Sequence, residues 1–216
     1  MDAQGSLAPD AQVETMQAPP RPSVQVAAAI IAGGQAKRLG GMPKGTIVID
    51  GQRIIDRQLA VLRPLFGRVF LVADDARPWC LPELEIVSDR VPGAGPLAGL
   101  DAALGALRAA ERAVVCVAGD MPFIDTAALA LLRDHRSEAA AVIPLVAGRP
   151  EPLFARYGRA CLHAVRAALD HGRFKAADLV RQLDPDWIDE ATLRSVDPDL
   201  RFLTNVNTRE DLARYA

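Results

Sequence analysis

The 216 residues are half hydrophobic and 24% charged, with a formal net charge of -2, as in a globular chain with enough residues for a substantial core. That charge excludes a general nucleic-acid binder, which would carry a basic excess. Cys80, Cys116 and Cys161 stand far apart without C-x-x-C spacing, so the sequence offers no zinc site and fits a reducing, cytoplasmic setting.

Residues 1–24 are rich in Ala, Gln and Pro and have neither a basic start nor an apolar core. They read as a disordered tail, not a secretory signal, and residues 25–216 as a single domain. The apolar run at 26–32 is far too short to span a bilayer, so no membrane partner is expected.

The apolar run at 26–31 predicts a buried strand. It empties into a glycine-rich loop, 32–45, that carries Lys37, Arg38 and Lys44. Glycines let a backbone approach a ligand with its N–H groups turned inward, while cations neutralise phosphate charge, so this is a candidate anion cradle. It is neither a P-loop nor G-x-G-x-x-G: Pro43, not glycine, precedes the lysine, and Gly33 and Gly34 are adjacent.

A short strand follows at 46–49, stopped by Asp50-Gly51, and helical spacing of Ile54, Ile55, Leu59, Leu62 and Leu65 predicts a helix over 54–65. Strands are expected at 69–72 and 85–87, the latter ending in Ser88-Asp89. Gly93 and Gly95 form a turn, and Pro96 opens a helix with Leu97, Leu100, Leu104 and Leu107 on its apolar face. The run at 113–118 predicts a fully buried strand ending in Gly119-Asp120. Thr126 should cap a helix to His135. Strands at 139–146 and 151–157, helices at 158–170 and 179–183, a strand at 202–206 and a last helix to Tyr215, capped by Asn207 or Thr208, complete the reading. The alternation predicts an α/β three-layer sandwich: a mostly parallel sheet with helices on both faces.

The 32–45 loop, Asp89, the 90–96 turn and Asp120 all follow predicted strands, so in a parallel sheet they share one edge. An aspartate there either caps a turn or holds Mg²⁺, which takes one or two carboxylates and completes its shell with water and phosphate oxygens; Asp120 is the first choice and Asp89 the second. No nucleophile–base pair emerges: His135, His163 and His171 lie in or at the ends of predicted helices, and no G-x-S-x-G occurs. This absence favours phosphoryl or nucleotidyl transfer, in which positioning and charge stabilisation dominate.

Five segments in order, I-A-G-G-Q-A-K-R-L-G-G-M-P-K at 31–44, D-R-V-P-G-A-G-P-L-A-G at 89–99, A-G-D-M-P-F-I at 118–124, E-P-L-F-A-R-Y at 151–157 and N-V-N-T-R-E-D-L at 205–212, carry a resemblance. The chain is similar to the molybdenum cofactor guanylyltransferases, within the Rossmann-like nucleotidyltransferases. The resemblance implies that Ile31, Ala32, Gly33 and Gly34 meet the nucleotide, partly through backbone N–H groups. It implies that Lys44 binds phosphates, Arg38 supports the developing charge, Asp89 contacts the nucleotide, Asp120 also coordinates Mg²⁺, and Asn205 and Asn207 hold the pterin. The implied reaction joins GTP to molybdenum-molybdopterin, forming molybdopterin guanine dinucleotide and pyrophosphate, with other molybdenum cofactor biosynthesis or acceptor proteins as partners. Two departures stand out: Pro43 before Lys44, where the family has Asp, and Val72, where some members carry an Asn near the base, so that a side-chain contact to guanine is either missing or comes from nearby, from Asp74 or Asp75. Cytidylyl transfer from CTP, transfer to another acceptor, and a catalytically silent nucleotide-binding delivery protein are the competing readings.

Overall fold

The computed structural model describes residues 25–32, 43–91, 94–208 and 211. The expected tail, most of the 32–45 loop and the end of the last helix lie outside them. The strands are β1 (Gln25–Ile31), β2 (Val48–Ile49), β3 (Gln52–Arg53), β4 (Val69–Val72), β5 (Glu85–Val87), β6 (Glu111–Ala118), β7 (Ala141–Val146), β8 (Arg149–Pro150), β9 (Phe154–Gly158) and β10 (Asp186–Ile188). The helices are α1 (Ile54–Leu62), α2 (Pro96–Gly105), α3 (Thr126–Asp134), α4 (Cys161–Asp170), α5 (Ala176–Gln182) and α6 (Glu190–Val196).

The main sheet runs β10-β7-β9-β6-β1-β4-β5, with β8 paired to β7, and β2 and β3 form a separate hairpin. β1 lies in its interior, parallel to β4 through Ile31↔Val72 and to β6 through Ile31↔Ala118. β9 is antiparallel to both β6 and β7.

Side-chain alternation makes the three layers. Ala27, Ala29 and Ile31 of β1 pack with α2, α4 and α5, through residues such as Leu97, Val165 and Leu179. Ala28 and Ile30 face the other way, onto α1, α3 and α6, through Leu59, Leu129 and Leu193. A period of two on a strand buried on both faces reads as an unbroken apolar run, and each large aliphatic side chain so buried contributes about 1.5–3 kcal/mol. Close approach sets one residue type: a Cβ at Gly99 of α2 would lie 2.5 Å from Ile31 Cγ2, so a larger residue would force the helix off the sheet.

Four local expectations are corrected. The cap of α3 is Asp125, whose carboxylate accepts from the N–H groups of Ala127 and Ala128, and not Thr126. The expected strand at 202–206 is a 3-10 turn, Arg201–Leu203, because Leu200 enters it left-handed at φ 51°, and the segment beyond pairs with no strand. α1 ends at Leu62, not at 65. β10 and α6 arise where no element was expected. At Thr208 the hydroxyl accepts from Asp211 N–H while the Asp211 carboxylate accepts from the N–H groups of Asn207 and Thr208, a reciprocal capping pattern, and the expected helix beyond it lies outside the described residues.

Candidate active site

β1, β4, β5 and β6 all run the same way, so their carboxyl ends share one edge. The chain winds from β1 to β4 and β5 on one side and returns to β6 on the other. Such a switch point leaves a crevice outside the strand ends, where open α/β sheets take their ligands.

Pro43 leads into the 3-10 turn Lys44–Thr46, where the N–H and hydroxyl of Thr46 both donate to Pro43 O, at 3.0 and 2.8 Å. The turn is wedged in place: a Cβ at Gly45 would lie 2.7 Å from the Trp79 ring and 3.1 Å from Gly119 O. Trp79 is 1% exposed, and its carbonyl accepts from Arg53 Nη1 at 2.7 Å while Arg53 Nε and Nη2 grip the Asp56 carboxylate. This packing aims Lys44 across the end of β6. Its Nζ donates to Asp120 Oδ2 at 2.8 Å and to Asn207 Oδ1.

Asp120 sits on a turn fastened from several sides. Gly119 N–H donates to Ile31 O at 2.9 Å, tying the turn to the end of β1, and Val206 N–H donates to Asp120 O at 2.9 Å. Val206 is fully buried with Ile47, Ile49 and Ile54, so the late segment bearing Asn205 and Asn207 is anchored on the same turn. From α1, Gln58 Nε2 donates to Ala118 O at 2.7 Å and Met121 O at 3.0 Å, leaving Gln58 Oε1 buried and without a hydrogen-bond partner among the described residues. A buried acceptor left unpaired costs about 1–3 kcal/mol.

Asp89 follows β5, three strands along from β6 and so on the order of 14 Å away along the edge. Burial, reinforced by the charges of Asp74 and Asp101, pushes its carboxyl up to about 6. Its Oδ1 is buried with no hydrogen-bond partner among the described residues. Asp101 behind it is 2% exposed and held by Arg166 Nε at 3.0 Å. The register Val72↔Val87 sets Asp74 beside Asp89, while Asp75 is committed to Arg77, which holds its carboxylate below the usual range.

A family model described as a MobA-like NTP transferase domain matches residues 28–186, a span that takes in β1, Lys44, Asp89 and Asp120. The chain belongs to this family. It is 34% identical to the probable molybdenum cofactor guanylyltransferase of Methanosarcina mazei, over 86% of this chain and 87% of that one. It is 30% identical to the molybdenum cofactor guanylyltransferase of Desulfosudis oleivorans, over 86% and 91%. Among solved structures it is similar to molybdopterin-guanine dinucleotide biosynthesis protein A from Archaeoglobus fulgidus, with a TM-score of 0.76, 27% identity, and coverage of 88% of this chain and 96% of that one.

Within the MobA-like frame, the expected site residues divide into three sets. Lys44, Asp120 and Asn207 meet directly. Asp89 shares their edge but not their contacts. Gly33, Gly34 and Arg38 lie outside the described residues. Ile31 is 4% exposed, and the N–H of Ala32 is engaged with Val72 O at 2.9 Å. Asn205 is exposed and, among the described residues, reaches only Leu203 O, at 3.4 Å. Val72 is fully buried in the layer beneath α2. Sequence reading missed Gln58 and Trp79: the first sits at core spacing on a helix, and the second follows β4 in a stretch of turns and loop without periodicity.

Proposed function

We propose that this chain is a molybdenum cofactor guanylyltransferase, transferring GMP from GTP to molybdenum-molybdopterin with release of pyrophosphate. The observation that carries the reading is the convergence of Lys44, Asp120 and Asn207 at the ends of β1 and β6, inside the span matched by the MobA-like model.

The nucleotide lies along the edge, its triphosphate over the Lys44 turn and its nucleoside toward β4 and β5, where the unpaired Oδ1 of Asp89 accepts a hydrogen bond from it. The terminal phosphate of the pterin attacks the α-phosphorus, and two anions have to approach. Lys44 moves its ammonium from Asp120 and Asn207 to the phosphates, stabilising charge as it develops, and Arg38 adds a second cation. Asn205 and Asn207 orient the pterin from the anchored late segment.

Among the described residues no three His, Cys, Asp or Glu side chains gather as a metal cage. The donor set fits Mg²⁺ even so, since that ion asks for one or two carboxylates and takes its remaining ligands from water and phosphate. Asp120, with one oxygen on Lys44 and its side chain 16% exposed, would hold it, and the bound ion would offset phosphate charge.

Among the described residues no helix is long and apolar enough to cross a membrane, and Cys80, Cys116 and Cys161 are free thiols, which supports a cytoplasmic enzyme. Thermal shift with Mg²⁺ and GTP, CTP, ATP or UTP separately tests the base: a selective rise with GTP supports the reading, and a selective rise with CTP favours cytidylyl transfer.

A further inference from the structure

The buried face of α1 consists of Ile54, Ile55, Leu59 and Leu62, with one polar exception. Gln58 is 0% exposed among them. Its single amide nitrogen donates to Ala118 O and to Met121 O, the carbonyls on either side of Gly119-Asp120. Among the described residues it is the one side chain that bonds to the backbone of this turn. Reversing the amide would set Oε1 against two carbonyl oxygens, so the orientation is fixed by chemistry. The other end of the amide stays buried and, among the described residues, without a hydrogen-bond partner. A methionine would fill much of the same space without stranding an acceptor, so packing alone does not account for the residue.

We propose that Gln58 is a positioning residue for Asp120: by clasping both sides of the turn it fixes the carboxylate at the reach of Lys44. The inference rests on the reading that Asp120 acts at the nucleotide phosphates. Among the described residues Asp120 has no other side chain bracing its backbone, and catalysis by positioning is sensitive to shifts of about 1 Å.

The test uses Gln58→Met, Gln58→Glu and a packing control, Leu62→Ala, on the same helix face. Amide hydrogen exchange reads the clamp without reference to activity. In Gln58→Met, exchange at 119–121 should quicken by about tenfold while protection within α1 holds. Unchanged exchange at the turn would overturn the clamp. Kinetics read the consequence: kcat of Gln58→Met should fall by about tenfold or more with KM for GTP within about threefold, and the Mg²⁺ concentration for half-maximal rate should rise. Leu62→Ala should keep kcat within about twofold of wild type even with a lower Tm. Loss of activity no greater in Gln58→Met than in Leu62→Ala would contradict positioning.

Gln58→Glu adds a signature that packing cannot give. A buried carboxyl must keep its proton to donate to a carbonyl, so its activity relative to wild type should climb as pH falls from about 8 to about 5.5. A flat ratio over that range, in protein folded throughout, would overturn the proposal. Wild type lacking nucleotidyl transfer would refute the assigned reaction instead, with the exchange experiment still deciding the clamp.

Discussion

Lys44 and Asp120 are 76 positions apart in the chain, yet Lys44 Nζ lies 2.8 Å from Asp120 Oδ2. Neither residue is deeply buried, with side chains 28% and 16% exposed, so the pair adds only about 0–1 kcal/mol to stability. In the proposed reaction its value is to the nucleotide phosphates and not to the fold. Lys44→Ala and Asp120→Ala should each lower turnover by about tenfold or more while Tm moves by no more than a few degrees. Pyrophosphate release and thermal melts on the same preparations check this, and near-normal turnover in either variant removes that residue from the mechanism.

The Lys44 turn is held by contact on two sides, which gives a second prediction. A Cβ at Gly45 would stand 2.7 Å from the Trp79 ring, a rigid group 1% exposed and pinned through its carbonyl by Arg53. Gly45→Ala should therefore cost about 1–3 kcal/mol through overpacking and also move Lys44 off Asp120. Both Tm and kcat should fall, and a normal kcat would mean that the turn absorbs the methyl without displacing the lysine.

Asn205 and Asn207 should separate on mutation, although the sequence treats them alike. Both are exposed, but Asn207 accepts from Lys44, whereas Asn205 among the described residues meets only Leu203 O. Asn207→Ala should weaken both GTP and pterin use, and Asn205→Ala the pterin alone. Initial rates with each substrate varied in turn will tell them apart, and equal effects on GTP would contradict the geometry.

Asp89 should make the proposed site sensitive to pH. Its carboxyl is raised from 3.8 to about 6 by burial first and by Asp74 and Asp101 second. Between those values the folded chain keeps a proton that the unfolded chain has released. The carboxyl thus contributes stability that is complete below 3.8 and is lost as pH rises through about 6. Asp89→Asn should gain Tm relative to wild type at about pH 7.5 compared with about pH 4. A nucleotide donor prefers the ionised form, so wild-type affinity for GTP should weaken as pH falls from about 7 to about 5 and that of the variant should stay flat. Calorimetry at several pH values measures both, and a flat wild-type profile would place the nucleotide elsewhere.

Much of this was legible in the sequence because the buried strands are nearly pure in composition. β1 and β6 are apolar on both faces, and once they are read as parallel, the residues just after them fall on one edge; Lys44 and Asp120 followed from that. Where burial is sparse the signal fails. In α6 only Leu193 is buried, and nothing in the polar stretch around it marks a helix. Phe202 and Val206 were read as strand because both are apolar and inside, but they anchor a turn and an extended segment without pairing. Gln58 was invisible for the opposite reason: at helical spacing among Ile55, Leu59 and Leu62 a glutamine says nothing until its two carbonyl partners are seen. Asp125 outcompeted Thr126 at the α3 cap because its longer reach serves two N–H groups at once.

The most direct measurement is a reconstitution of purified protein with molybdenum-molybdopterin, Mg²⁺ and a single nucleotide, reading the dinucleotide and pyrophosphate together. The account predicts molybdopterin guanine dinucleotide and pyrophosphate in equal amounts with GTP, and neither with CTP. Product with CTP in place of GTP, or pyrophosphate without dinucleotide, would contradict it.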